Sequence, residues 1–257
     1  MASPAPTRPT ILVVQGSFQL PEVYEKLANA LKARGYPVIH PPLPSLIDQD
    51  SPDFASRDLS TDALAVQSVL GRLVEEESQD VLVLMHSYGG LVGSEAVLED
   101  FSRETRKERG LPGGVIHLFF FAALILSEGQ PVFDVFGESS AAEVLPSGRV
   151  RTKDPAQMLY NDLPSEEAEY WTSKTVPQSY AVQATKLTRA ACRYIPSTYL
   201  VCENDQGLPP KFQEMFGKSI GNNVLRINSS HSPMLSRTEE LAGIIARATE
   251  EAISKAQ

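Results

Sequence analysis

The stretch Asp80 to Gly93, DVLVLMHSYGGLVG, limits what this chain can fold into more than any other. The apolar run Val81-Leu82-Val83-Leu84 stops at Met85-His86-Ser87-Tyr88-Gly89-Gly90, and the helix-compatible segment Leu91 to Leu98 follows at once. Strand, sharp turn with a serine at its apex, then helix is the geometry of a nucleophile elbow. Such a turn strains the serine backbone and leaves its hydroxyl exposed at the carboxyl edge of a sheet. Gly89 lets the helix pack closely against the strand, where a side chain would collide. In the usual G-x-S-x-G pattern the first glycine would stand where this chain has Met85.

A serine hydroxyl is a poor nucleophile until a base takes its proton, and the base needs a carboxylate to fix its tautomer. The chain holds four histidines, so elimination works. His86 adjoins the serine and would point away from its hydroxyl. His40 closes the strand-like run Tyr36 to Ile39, and His117 lies within the apolar run Val115 to Phe121. His231 follows the short strand Val224 to Ile227 across the polar loop Asn228-Ser229-Ser230 and precedes a long C-terminal helix. The spacing of Ser236-Arg237-Thr238-Glu239 predicts a capping box for that helix. His231 therefore sits where a base can reach into a site. The acid should end the preceding strand, Ser197 to Cys202, whose loop is Glu203-Asn204-Asp205-Gln206-Gly207. Asp205 is the candidate, with Glu203 in reserve, giving the chain order Ser87, Asp205, His231.

These residues resemble α/β-hydrolases of the plant methylesterase and hydroxynitrile lyase branch, which has bacterial and fungal relatives. The resemblance spans nearly the whole chain. It rests on Val14-Gln15-Gly16-Ser17-Phe18, on His86 to Gly90, on Ile195 to Tyr199 running into Glu203 to Pro210, and on Ser230-His231-Ser232-Pro233-Met234-Leu235-Ser236. Esterases of that branch carry His-x-Pro-Met-Leu-Ser or close variants at the last site. The lyases instead place a lysine directly after the histidine and a threonine in the first loop. This chain has Ser232 and Gly16 there, which favours hydrolysis. Family members usually have His-Gly in the first loop, where this chain has Gln15-Gly16. The resemblance implies attack of Ser87 on an ester carbonyl, with His231 as base and an acyl-enzyme intermediate. The backbone N–H groups of Ser17 and Tyr88 would receive the oxyanion, and no cofactor or metal is required. A cofactor-free C–C bond lyase on the same fold and a small-molecule receptor with a vestigial triad are the alternatives.

Composition fits such an enzyme. At 257 residues and 42% hydrophobic, one core with a modest insertion accounts for the length. A net charge of −9 argues against a nucleic-acid or anionic-membrane partner. No segment approaches the roughly 18 consecutive apolar residues of a membrane span. The start, MASPAPTRPT, lacks the charged and apolar regions of a signal peptide, so a cytoplasmic protein, monomeric or homodimeric, acting on a small molecule is expected. Two cysteines, Cys192 and Cys202, make no disulfide framework and read as packing residues.

Alternating strands and helices predict a doubly wound, mostly parallel α/β sheet with its ligand site at the carboxyl ends of the strands. Strands are expected at Thr10 to Val14, Tyr36 to Ile39 and Val115 to Leu126, besides those already named. Helices are expected at Pro21 to Arg34 and about Asp62 to Glu76. Residues 1–125 and 196–257 would form the core. Residues 126–195, where the alternation breaks, would form a small, mainly helical cap with helical runs around Ser165 to Thr172 and Tyr180 to Ala191. A cap excludes water and supplies apolar walls. Phe18 from the first loop and Phe133, Phe136, Trp171 and Tyr180 from the cap are candidate pocket residues.

Overall fold

A strand buried on both faces must be largely apolar, and the inner strands of this sheet are. The computed structural model describes residues 8–131, 142–221 and 223–256. The chain opens with β1 (Thr10–Val14), a 3-10 turn at Pro21–Tyr24 that runs into α1 (Glu25–Ala33), and β2 (Val38–Ile39). Next come α2 (Leu59–Gly71), β3 (Asp80–His86), α3 (Gly89–Ala96), α4 (Arg103–Glu108) and β4 (Gly114–Phe121). An insertion follows, carrying β5 (Ala142–Leu145), β6 (Arg149–Thr152), α5 (Pro155–Leu159), α6 (Ser165–Ser173) and β7 (Gln178–Ser179). The chain closes with β8 (Ser197–Cys202), α7 (Pro210–Ser219), β9 (Val224–Ile227), a short α8 (Pro233–Ser236) and α9 (Thr238–Ala256).

The main sheet has six strands in the order β2-β1-β3-β4-β8-β9, every pair parallel. Alternate residues feed two apolar layers. Leu12, Val14, Val83, Met85, Leu118 and Phe120 face α2 and α3, whereas Ile11, Val13, Leu82, Leu84, Phe119 and Phe121 face α1 and α9. The strand order reverses between β1 and β3, so the loops after these two strands diverge and leave a crevice at their carboxyl ends. The loops after β8 and β9 leave the same edge. Among the described residues, no helix is long and apolar enough to cross a membrane.

Several expected boundaries move, each for a local reason. β4 ends at Phe121 rather than Leu126 because Ala122 turns with φ 44°. Leu124 then donates to the carbonyl of Ser87 at 3.0 Å. α2 begins at Leu59, three residues earlier than expected, because Asp58 and Thr61 form a reciprocal capping box. The capping box expected at Ser236 does not form. α8 ends there, Arg237 adopts a non-helical conformation, and α9 starts at Thr238, leaving the Ser236 hydroxyl buried with no partner among the described residues. The run Tyr180 to Ala191 is not one helix. It holds 3-10 turns at Tyr180–Gln183 and Ala191–Arg193, and between them the Thr188 amide donates to the Glu95 carboxylate at 2.7 Å. That charge-assisted bond draws the amide away from a helical partner. The insertion also contains an antiparallel three-stranded sheet, β5-β6-β7, which the sequence pattern did not disclose.

Candidate active site

Ser87 directly follows β3 with φ 52°, a left-handed conformation that a non-glycine residue adopts only under constraint. The constraint is packing. A Cβ on Gly89 would lie 2.2 Å from the Val14 carbonyl oxygen, and one on Gly90 would lie 2.3 Å from that of Leu124. Both positions must be glycine for α3 to sit so near β1 and the Ala122–Leu124 turn. Met85, which replaces the usual first glycine, finds its room inside. A Cβ on Gly93 would lie 2.3 Å from its sulfur, so the bare backbone one turn into α3 accommodates the thioether.

The acid loop after β8 holds Asp205, which is 1% exposed. Its Oδ1 accepts the amides of Gly207 and Leu208, each at 2.8 Å. Its Oδ2 accepts Gln213 Nε2 and His231 Nδ1, also at 2.8 Å each. The carboxylate thereby fixes the proton of His231 on Nδ1 and leaves Nε2 as the free acceptor a base requires. Glu203 is exposed and joins the structure through its amide, which donates to Ile227 O at 3.0 Å. Geometry therefore selects Asp205 over Glu203 as the partner of His231.

The loop after β1 lies against the elbow. A Cβ on Gly16 would be 2.9 Å from Ser87 Cβ and 3.0 Å from His86 Nδ1, so this backbone touches both residues. The Gly16 amide donates to Tyr24 Oη at 2.9 Å, and Gln15 Nε2 donates to Gln19 O at 2.7 Å. Phe18 has φ 64°, and its carbonyl accepts the Val176 amide from the insertion at 3.0 Å. Among the described residues, the amides of Ser17 and Tyr88 have no hydrogen-bond partner. The Tyr88 side chain turns away from the crevice and donates to Asp62 Oδ2 at 2.9 Å.

The remaining histidines stand apart from base chemistry. His86 packs its ring 4.8 Å from that of His231, and its Nε2 lies 2.9 Å from the His231 carbonyl oxygen. Burial drives its pKa well down, reinforced by the neighbouring His231. Burial also lowers His40 and His117 to about 4. His117 Nε2 pairs with Thr198 Oγ1 at 2.8 Å, near the start of its strand.

The insertion is tied to these loops by side-chain hydrogen bonds. Asp162 accepts the Ser230 amide at 2.8 Å and the Ser230 hydroxyl as well. Asn161 donates to Asn204 O at 3.1 Å, and Gln19 bridges Tyr160 Oη and Ser232 Oγ. Gln178 of β7 donates to Ser45 Oγ, which in turn donates to Asp62. A sequence signal existed for Asp62 and Gln213: each is polar at a position where helical spacing demands a core residue, beside Leu59 and Val66 or beside Phe216. For Tyr24, Gln19 and Asp162 no local signal existed.

The candidate pocket residues scatter. Phe18 is half-buried in the first loop, beside the elbow. Trp171 lines a groove of about 490 Å³ with Lys26, Pro164, Glu166, Glu167 and Tyr170. Tyr180 begins a 3-10 turn, its amide donating to Gly148 O at 2.9 Å. Phe133 and Phe136 lie outside the described residues.

Comparison with known proteins places the chain by family and by fold. The model of the alpha/beta hydrolase family matches residues 11–244. The alpha/beta hydrolase nvfD of Aspergillus novofumigatus is 28% identical over 263 residues, covering 96% of this chain and 98% of that protein. Among solved structures, a pyrethroid hydrolase from Sphingobium faniae superposes with a TM-score of 0.73 at 22% identity, covering 94% of this chain and 97% of the other. A methylesterase from Arabidopsis does so with a TM-score of 0.71 at 19% identity, covering 94% and 98%. At such identities the two structures establish a shared fold, and the methylesterase lies in the branch that the motifs resemble.

Proposed function

Given that the chain belongs to the alpha/beta hydrolase family, we propose that it cleaves a small, largely apolar carboxylic ester, lactone or thioester through an acyl-enzyme on Ser87. The observation that carries this reading is the 2.8 Å contact between His231 Nδ1 and Asp205 Oδ2, on loops at the same sheet edge as the strained elbow. Ser87 Oγ attacks the carbonyl carbon while His231 Nε2 takes its proton. The oxyanion settles on the free amides of Ser17 and Tyr88. Collapse expels the alcohol, which receives the proton from His231, and leaves the acyl group on Ser87. His231 then removes a proton from water, which attacks the acyl carbon and releases the acid. Residues 126–195 act as a cap that excludes bulk water, with Phe18 as an apolar wall.

Rapid mixing with p-nitrophenyl acetate tests this. We expect a burst of p-nitrophenol, an acetyl adduct on Ser87 by intact mass, and loss of both in Ser87→Ala. Turnover should fall on the order of 10⁶-fold in that variant if the three residues act as a unit. An adduct on another serine, or undiminished turnover in Ser87→Ala, rules the assignment out. Cleavage of a hydroxynitrile with no adduct would instead identify a lyase.

A further inference from the structure

We infer that His86 is a positioning residue whose ring ties the loop of the base to the loop of the oxyanion donor through one directed chain of hydrogen bonds. The inference rests on the hydrolase reading for what those two loops do, and on hydrogen-bond geometry for their linkage. A carbonyl oxygen can only accept, so the 2.9 Å contact with His231 O places the His86 proton on Nε2. Nδ1 of the neutral ring is then an acceptor, and Tyr24 Oη donates to it across 2.7 Å. The same phenol oxygen accepts the Gly16 amide at 2.9 Å. Tyr24 has one proton, and the shorter contact takes it in preference to Gln19 Oε1 at 3.3 Å. The chain therefore runs Gly16 N–H to Tyr24 to His86 to His231 C=O, with a donor facing an acceptor at every step.

Both arms end beside the chemistry. His231 is held by its carbonyl from below and by Asp205 through its ring, which fixes the residue at two points. Gly16 is held by its amide, which anchors the peptide immediately before the one that carries the N–H of Ser17. The ring itself cannot tilt, because it stacks on Phe121 at 4.7 Å and meets Tyr24 edge-on at 5.8 Å. Tyr24 is 1% exposed and His86 fully buried. Burial, reinforced by His231, disfavours the charged ring. That suits the arrangement, since a second ring proton would leave Nδ1 unable to accept from Tyr24.

Two variants of His86 cut one arm each. His86→Gln keeps an N–H within reach of the His231 carbonyl but offers Tyr24 no acceptor at the Nδ1 position. His86→Asn offers an acceptor there and loses the donor to His231. Tyr24→Phe cuts the oxyanion arm without altering the histidine. Steady-state hydrolysis of p-nitrophenyl acetate should show Tyr24→Phe lowering kcat roughly tenfold with little change in KM, and adding nothing further in a His86→Gln background. Losses that add in the double variant overturn the linkage. The ring spectra of ¹⁵N-labelled histidine need no turnover. They should show His86 as the Nε2–H tautomer across about pH 5 to 8, and the His231 Nδ1 proton should shift in His86→Asn. A His86 ring that titrates in that window, an Nδ1–H tautomer, or an unmoved His231 proton overturns the inference. If Ser87 forms no acyl adduct, the hydrolase reading falls, and these spectra still decide whether the linkage exists. If the His86 variants do not fold, Tyr24→Phe and the wild-type spectrum decide.

Discussion

Gln213 grips Asp205 by the oxygen that also receives His231, and its own amide cannot turn over. Gln213 Oε1 accepts the Cys202 amide at 2.9 Å while its Nε2 donates to Leu208 O at 2.6 Å and to Asp205 Oδ2 at 2.8 Å. The other oxygen of Asp205 is occupied by two backbone amides. The carboxyl plane is therefore set from every side, and Oδ2 can face only donors.

An amide in place of that carboxylate must put its NH₂ where Oδ2 was, toward Gln213 Nε2 and His231 Nδ1. To avoid donor facing donor, His231 must move its proton to Nε2 and lose its basic nitrogen. Asp205→Asn should therefore keep the fold and lower kcat by roughly 10⁴, whereas the exposed Glu203→Gln should leave it within a factor of about two. Steady-state kinetics of both variants decide this; the reverse order of effects would make Glu203 the acid.

Asp62 gives the protein a pH signature of its own. Burial raises its carboxyl to about 6 against three opposing hydrogen bonds, from the Ser45 side chain, the Ser45 amide and Tyr88. The folded state thus holds this proton more tightly than the unfolded chain. Its stabilising contribution is complete below the unfolded value near 4 and is lost as pH rises through about 6. Asp62→Asn mimics the protonated acid. Relative to wild type, the variant should gain up to about 3 kcal/mol between pH 4 and pH 7, measured by urea unfolding. A difference that stays flat over that range contradicts it.

Gly89→Ala should destabilise the fold rather than only slow it. The new methyl would meet Val14 O at 2.2 Å, and backbone on both sides leaves no side chain to yield. A loss of about 3 kcal/mol or more is expected, seen as a Tm lowered by roughly 6–12 °C in calorimetry. Gly110→Ala, at a position where nothing lies within 4 Å, controls for the change of residue. Its φ of 68° still costs it some stability. An unchanged Tm in Gly89→Ala would refute the packing argument for the elbow.

Asp162→Ala removes both bonds to Ser230, the residue preceding His231. Loosening that loop should lower kcat between about 10- and 100-fold, in keeping with the sensitivity of catalysis to misplacement. Ser230→Ala, which keeps the amide bond, should lose less. Equal, wild-type kcat in both would show that the loop needs no anchor.

What the sequence disclosed and what it hid divide along physical lines. The edges of β1, β8 and β9 were readable because apolar runs end there at polar loops, and Ser87 and Asp205 stood out as candidates because each lies three residues past the end of an apolar run, at Leu84 and at Cys202. The chain order of Ser87, Asp205 and His231 was readable because strand ends in a parallel sheet converge on one edge. Tyr24 and His86, 62 residues apart, and Gln19 and Ser232, 213 apart, were not. Their partnerships depend on which loops meet in space, and no local periodicity encodes that. The expectation at Ser236 failed for a related reason: a favourable local motif lost to the placement of α8, which fixes the backbone on its other side.

The contact between Phe18 O and the Val176 amide has an evolutionary corollary. It runs from the residue next to Ser17 into the insertion, whose other moorings include Ser230, Asn204, Ser45, Gln19 and Glu95. The insertion is therefore not an interchangeable lid. Under the proposed hydrolase reading, a chimaera carrying the equivalent segment of a relative would inherit that relative's preference for acyl groups only if it also rebuilt these moorings. Without them it would bind new substrates and turn them over slowly, so diversification of this scaffold must proceed by paired changes on both sides of the crevice.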